Sequence, residues 1–260
     1  MAEPRILLIV PTLGQRIDYL GQTLESIRMQ SAAADVVVVG PEGNPQLEGL
    51  VAEYGTDFVP DPGSLTRAIN VGATRMTDRH GFLNWLNDDD RLTPGSLAAT
   101  SAALEAHPTA TVAFGACRYI DATGHELWVS RAGRWAPRVL GWGPDLIPQP
   151  GMLVRASAWR AVGGIDETYR FAFDLDLLLR LKARGPLVEV PAVVSEFRWH
   201  ADSLTVGDRR TNIEESERAK RQALSPGARR LALLWERPVR WATYAAASEV
   251  QRRARRAASR

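Results

Sequence analysis

The sequence predicts an α/β fold, a mostly parallel sheet sandwiched by helices, with a helical C-terminal extension. Three observations predict it. Short apolar runs at residues 6–10, 36–39, 57–59 and 82–86 close on Pro, Gly or an Asn-Asp pair, the pattern of strands buried on both faces. The segments between them carry helical spacing, as in Leu20, Leu24, Ile27 and in Leu65, Ile69, Ala73. Apolar residues make up 45% of the 260, enough to bury a core without disulfide or metal staples.

In chain order, the strand at 6–10 is followed by a helix at 19–30, a strand at 36–39, and a helix at 45–54. A strand at 57–59, a helix at 64–76 and a strand at 82–86 complete the first half. Pro94 near the start of an apolar face through Leu97 and Leu104 predicts a helix to residue 105. Residues 111–117 and 126–129 read as strands around a turn at 121–124. The stretch 131–148, rich in Trp, Gly and Pro without period, reads as a functional loop. Residues 174–184 form an amphipathic helix that stops at Gly185-Pro186. Two late strands are expected at 188–194 and 196–200, and helix from about 211 onward, interrupted near Ser225-Pro226-Gly227 and at Pro238.

Charge divides the chain. The net charge is only +2, yet residues 226–260 hold nine Arg against Glu236 and Glu249, a local balance of +7. The first 225 residues carry 23 basic and 28 acidic side chains, so a mildly acidic body is joined to a basic tail. The single cysteine, Cys117, excludes an internal disulfide and a Cys-based zinc site. No apolar run approaches the roughly 18 residues needed to span a bilayer, and residues 6–10 are too short for a signal sequence. The expected location is the cytoplasm, with peripheral contact at the inner face of the membrane compatible with the tail. Val10-Pro11-Thr12-Leu13-Gly14 lacks both the dinucleotide fingerprint and the P-loop, and no Gly-x-Ser-x-Gly elbow or paired-His zinc motif occurs. Dehydrogenase, kinase-like and hydrolase classes lose their support.

Ligands of such sheets gather beyond the carboxyl ends of the strands, which singles out Thr12, Asp61 and residues 87–90. Asn87-Asp88-Asp89-Asp90 places three carboxylates together, which repel unless a cation or a set of donors compensates. Mg²⁺ and Mn²⁺ suit such oxygen ligands; a plainer reading is an acidic loop capping the helix at Pro94. Asp174 and Asp176 open a helix, where they serve either as dipole partners or, facing a cleft, as a general base. His200 ends the last strand, as a hydrogen-bonded surface residue or a metal ligand.

Taken in order, these stretches resemble the family 2 glycosyltransferases of the GT-A fold, bacterial type. The matching segments are Ile9-Val10-Pro11-Thr12 with Arg16, residues 64–72 with Arg67, Asn70 and Gly72, and residues 86–95. Gly163-Gly164-Ile165-Asp166-Glu167, Phe173-Asp174-Leu175-Asp176-Leu177 with Arg180, and residues 198–203 around His200 complete them. The resemblance covers residues 5–205 and implies a catalytic domain over 1–205 and a basic helical extension over 206–260. It implies that Pro11, Thr12 and Arg16 line a nucleotide pocket, with Arg67 and Asn70 beside base and ribose. Asp88, Asp89 and Asp90 would hold ribose and a Mn²⁺ or Mg²⁺ ion, chiefly through Asp89, with His200 reaching the metal or the diphosphate. Asp174 matches the base of an inverting displacement that moves a hexosyl or deoxyhexosyl group from a nucleotide sugar to an acceptor hydroxyl. The acceptor would be a glycan, a lipid-linked saccharide or a small molecule, as in cell-envelope or polysaccharide biosynthesis. A noncatalytic nucleotide-sugar-binding protein is the alternative class.

Three departures stand out. Phe173 replaces the acidic residue usual before the base; the Asp-x-Asp register fits either 88/90 or 87/89; and Gly40-Pro41-Glu42 stands where an Asp commonly contacts the base, leaving Glu42 as substitute. Trp128, Trp135, Trp142, Trp159 and Trp199 crowd the second half, and Trp142 is the candidate for stacking on an acceptor sugar. The tail's Leu231, Leu234, Trp235, Val239, Ala242, Ala246 and Val250 suit an interfacial helix on anionic lipid and equally a helix packed on the catalytic domain or in a homodimer. No aromatic–basic reading surface accompanies its Arg run, so specific nucleic-acid binding is not expected.

Overall fold

A computed structural model describes residues 5–61, 63–130, 133, 135–199 and 209–231. Strand β1 (Arg5–Pro11) lies inside the sheet and is buried on both faces, which is why it reads as an unbroken apolar run. It pairs in parallel with β2 (Ala34–Gly40) and β4 (His80–Trp85), and β2 pairs in parallel with β3 (Asp57–Pro60). The crossovers are α1 (Ile17–Arg28), α2 (Pro45–Tyr54) and α3 (Leu65–Ala73). Local chemistry sets their ends. Asn44 caps α2 by accepting from Gln46 and Leu47 N–H, Pro45 takes the first turn, and Gly55 closes the helix in the left-handed region. Ser64 caps α3 through Arg67 N–H.

The second half continues with β5 (Arg91–Leu92), α4 (Ser96–Ala106), β6 (Val112–Ile120), β7 (Glu126–Ser130) and the short α5 (Ala136–Val139). Then come β8 (Leu153–Arg155), α6 (Ala156–Val162), α7 (Phe173–Lys182), β9 (Leu187–Arg198), α8 (Arg209–Ala223) and α9 (Pro226–Leu231). The sheet order is β3-β2-β1-β4-β8-β6-β9-β5, with β7 paired to β6. Strand β8 runs antiparallel to both β4 and β6, while β6 and β9 are parallel. The fold class is the predicted one, a mostly parallel sheet covered by helices.

Alternation along the strands builds two cores. Leu7 and Ile9 face a layer with α3, α6 and α7; Ile6, Leu8 and Val10 face α1, α2 and α4. Differences from the sequence expectation cluster in the second half. The two late strands are one strand, β9, because its 187–198 backbone follows β6 across register shifts near Ala116 instead of turning. The loop 131–148 contains α5, and the two- and three-residue strands β5 and β8 were not anticipated, being too short to show a period. Helix α8 packs on α7 and buries Ala219 in the core, so this part of the extension is continuous with the body. Residues 232–260, with the rest of the basic tail, lie outside the described residues.

Candidate active site

The carboxyl ends of β1 and β4 meet the loop 87–90. Thr12, just past β1, donates its hydroxyl to Asp88 Oδ2 at 2.5 Å and accepts from Gly14 N–H at 3.0 Å. Arg16 leads into α1 and reaches Asp89 Oδ2 with Nη1 at 2.8 Å. Pro11, Thr12, Arg16, Asp88 and Asp89 therefore form one cluster. Burial pushes the Asp88 carboxyl up to about 6, opposed by the Thr12 hydroxyl, while the neighbouring Asp89 charge raises it further.

Asp90 plays a different part. It is fully buried; Oδ1 accepts from Arg198 N–H at 3.1 Å and Oδ2 from Asn87 Nδ2 at 3.2 Å. Burial and the Asp89 charge raise it well above the usual carboxylate range. Its two oxygens face protein donors. The capping alternative for this loop is overturned: α4 begins at Ser96, its N-cap is Gly95 in the left-handed region, and no side chain caps it.

Arg198, almost wholly buried, ties the site together. Its Nε donates to Asp89 O at 3.1 Å, Nη1 to Ala122 O at 3.0 Å and Nη2 to Gln22 Oε1 at 2.8 Å, with the guanidinium 4.3 Å from the Tyr19 ring. The sequence reading gave Arg198 no role. A lone Arg at a strand end carries no signal of what it will bridge.

Arg67 Nε lies 3.2 Å from Asp61 Oδ1 and is largely exposed. Asp61 is buried, and its Oδ2 has no partner among the described residues. Asn70 is engaged at both ends of its amide: Nδ2 donates to Ile165 O at 2.9 Å and Glu167 Oε1 at 2.8 Å, and Oδ1 accepts from Ile165 N–H at 3.0 Å. It clips the Gly163–Glu167 loop onto α3, and Gly164 has room for no Cβ because one would lie 2.8 Å from Asn70 Oδ1. Glu42 is exposed in the turn after β2.

The second carboxylate group sits across the end of β4. Phe173 packs on Trp85 with ring centroids 6.0 Å apart, and Gln149 Nε2 donates to Trp85 O at 2.8 Å. These contacts bring the start of α7 and the loop 145–150 to the same edge. Asp174 Oδ1 accepts from Leu175 N–H at 2.8 Å, and burial raises its carboxyl to about 6. Asp145, whose Oδ1 accepts from Ile147 N–H at 3.0 Å, is the residue the sequence did not reveal. It keeps surface open to solvent, yet protein crowds its carboxyl; burial first, and then the Asp174 charge, raise it to about 7. Such a pair titrates as a unit. Asp176, by contrast, is bound to Arg180 at 2.7 Å, and Arg180 Nη1 also donates to Val162 O and Gly164 O, fastening α7 to α6.

The tryptophans separate. Trp85 and Trp159 are core, Trp128 and Trp199 join Tyr119 and Phe197 in an aromatic cluster, and Trp135 and Trp142 are 59% and 53% exposed. Trp142 lies three residues before Asp145. His200 lies outside the described residues. Among the described residues, no three His, Cys, Asp or Glu side chains converge on one point. No helix there is long and apolar enough to cross a membrane.

No protein-family model and no curated protein sequence matches the chain. Solved structures do. A fragment of S. aureus TarS, residues 1–349, superposes with a TM-score of 0.65 at 15% identity, covering 88% of this chain and 69% of that one. The same fragment in complex with UDP-GlcNAc gives a TM-score of 0.67 at 15% identity over 88% and 70%. The longer TarS structure matches at 0.64 and 15% identity over 88% of this chain but 42% of its own, so this chain spans less than half of it. The likeness shows the fold, that of the nucleotide-sugar transferases.

Proposed function

We propose that the chain is a glycosyltransferase, of the family 2 type, that moves a sugar from a nucleoside-diphosphate donor to an acceptor hydroxyl with inversion at the anomeric carbon. One observation carries this reading: the Thr12–Asp88 and Arg16–Asp89 pairs lie just past the carboxyl ends of β1 and β4, and Phe173, the residue before Asp174, packs on Trp85 at the end of β4. That is where ligands of such sheets bind. TarS, which has the same fold, has been solved with UDP-GlcNAc and with UDP, so uridine donors are the first to test.

A divalent cation fits the carboxyl groups. Asp88 and Asp89 offer oxygen ligands of the kind Mg²⁺ and Mn²⁺ take one or two at a time alongside phosphate oxygens. The raised Asp88 carboxyl is a charge in want of such a partner. When bound, the cation supplies neutralisation of the charge on the departing diphosphate. Arg16 and Thr12 set the two carboxylates, while Asp90, already satisfied by Arg198 and Asn87, holds the loop in shape. Asp174 takes the proton from the acceptor hydroxyl, whose oxygen bonds to the anomeric carbon as the bond to the diphosphate breaks.

The test is calorimetry and thermal shift with uridine, guanosine and thymidine diphospho-sugars, each with and without Mn²⁺ or Mg²⁺. A donor at a hundred times its Kd adds about 2.7 kcal/mol, so the midpoint should rise by about 5 °C with the right pair. No shift with any diphosphate and either metal would sink the proposal.

A further inference from the structure

Helix α7 begins without a cap of its own: Ala172 holds the N-cap position and makes no side-chain bond. The three amides that precede it are met from another element. The Glu215 carboxylate on α8 accepts from Arg170 N–H at 3.0 Å, Phe171 N–H at 2.7 Å and Ala172 N–H at 3.0 Å. A carboxylate gathering three backbone donors makes strong, charge-assisted bonds and places negative charge at the positive end of α7. The backbone so fixed ends two residues before Asp174.

Helix α8 is itself held firmly. Ala219 is 1% exposed in the core, Tyr169 Oη donates to Gln222 Oε1 at 2.8 Å, and the Arg218 guanidinium lies 3.8 Å from the Tyr169 ring.

We propose that α8 is part of the base site: Glu215 positions Asp174 through the backbone it holds just before α7. The proposal rests on Asp174 being the base. Glu215 is a positioning residue, since it need not touch the sugar. The helix lies beyond the last segment that resembles the glycosyltransferase family, so the sequence gives no hint of this role.

The experiment uses the full chain and the variants Glu215→Gln and Asp174→Asn. Glu215→Gln keeps shape but loses charge; its kcat should fall about tenfold with the donor KM unchanged, the cost of a misplaced base. Equal changes in kcat and donor KM for Glu215→Gln, or none in either, overturn the role of Glu215. Unchanged turnover in Asp174→Asn strikes instead at the base assignment.

Discussion

As the proposed base, Asp174 acts only while its carboxyl is ionised, and its surroundings decide when that is. Burial raises it to about 6, and burial with the Asp174 charge raises Asp145 to about 7. Below these values the proton is already on the carboxyl and none can be taken from an acceptor. Turnover should therefore rise with pH through 6 to 7 and level off above, as a steady-state pH profile will read. Asp174→Asn should lower kcat by about 10² to 10⁴ while donor binding by calorimetry stays within about twofold. At this scale the sequence was uneven as a guide. Asp174 was legible because it stands in an ordered run of motifs. Asp145 was not, since it lies 29 residues earlier in an irregular loop and meets Asp174 only through Phe173 on Trp85 and Gln149 on the Trp85 carbonyl. Arg198 was visible as part of a motif but silent about its work, because its partners on α1 and in the 121–124 turn are set by tertiary packing.

At the scale of elements, the motif residues divide into those facing the cleft and those that make the scaffold. Gly72 belongs to the second kind. It lies on α3 where the helix crosses β1 and β2, and a Cβ there would come within 2.4 Å of Ile9 Cγ2 and 3.1 Å of Val39 Cγ2. Both atoms sit on short β-branched side chains that cannot swing aside. Alanine is the better helix former by about 1 kcal/mol, but overpacking costs about 1–3 kcal/mol. We expect Gly72→Ala to lower stability in urea melts, with helix content in circular dichroism unchanged; a more stable variant would show that α3 shifts freely over the sheet. The first-half strands and helices were legible because strands buried on both faces and amphipathic crossovers each write a clear period. The second half was legible only in its long elements. Strands β5 and β8, of two and three residues, leave no period, and β9 runs on through its register shifts, with Pro191 at the first of them, where a proline reads in sequence as a break.

For the whole molecule the boundary that matters falls after α8. A boundary at 205 follows the motifs, but packing continues through α8, where Ala219 enters the core, Gln222 meets Tyr169 and Glu215 gathers the amides before α7. Helix α9 is tied more lightly, by Arg229 reaching Gln222 O and Leu224 O at 3.4 and 3.3 Å. The charge division falls at the same place, with +7 beyond Ser225 and an acidic excess before it. Two truncations separate these boundaries. Among the described residues a chain ending at Ser225 loses only the light bonds of α9, which cost about 1 kcal/mol or less; a midpoint that holds within about 3 °C assigns the packing to the chain before Ser225, and a larger fall assigns part of it to residues 232–260. The same chain should move from cation- to anion-exchange retention near pH 7.5, having shed the basic excess. A chain ending at residue 208 removes the whole of α8, exposing the Tyr169 and α7 face and leaving three amides without their carboxylate. Its midpoint should fall by about 10 °C or more, or it should fail to fold. Equal midpoints for the two truncations would mean that α8 merely rests on the domain, and the placement of Asp174 would then depend on α7 alone.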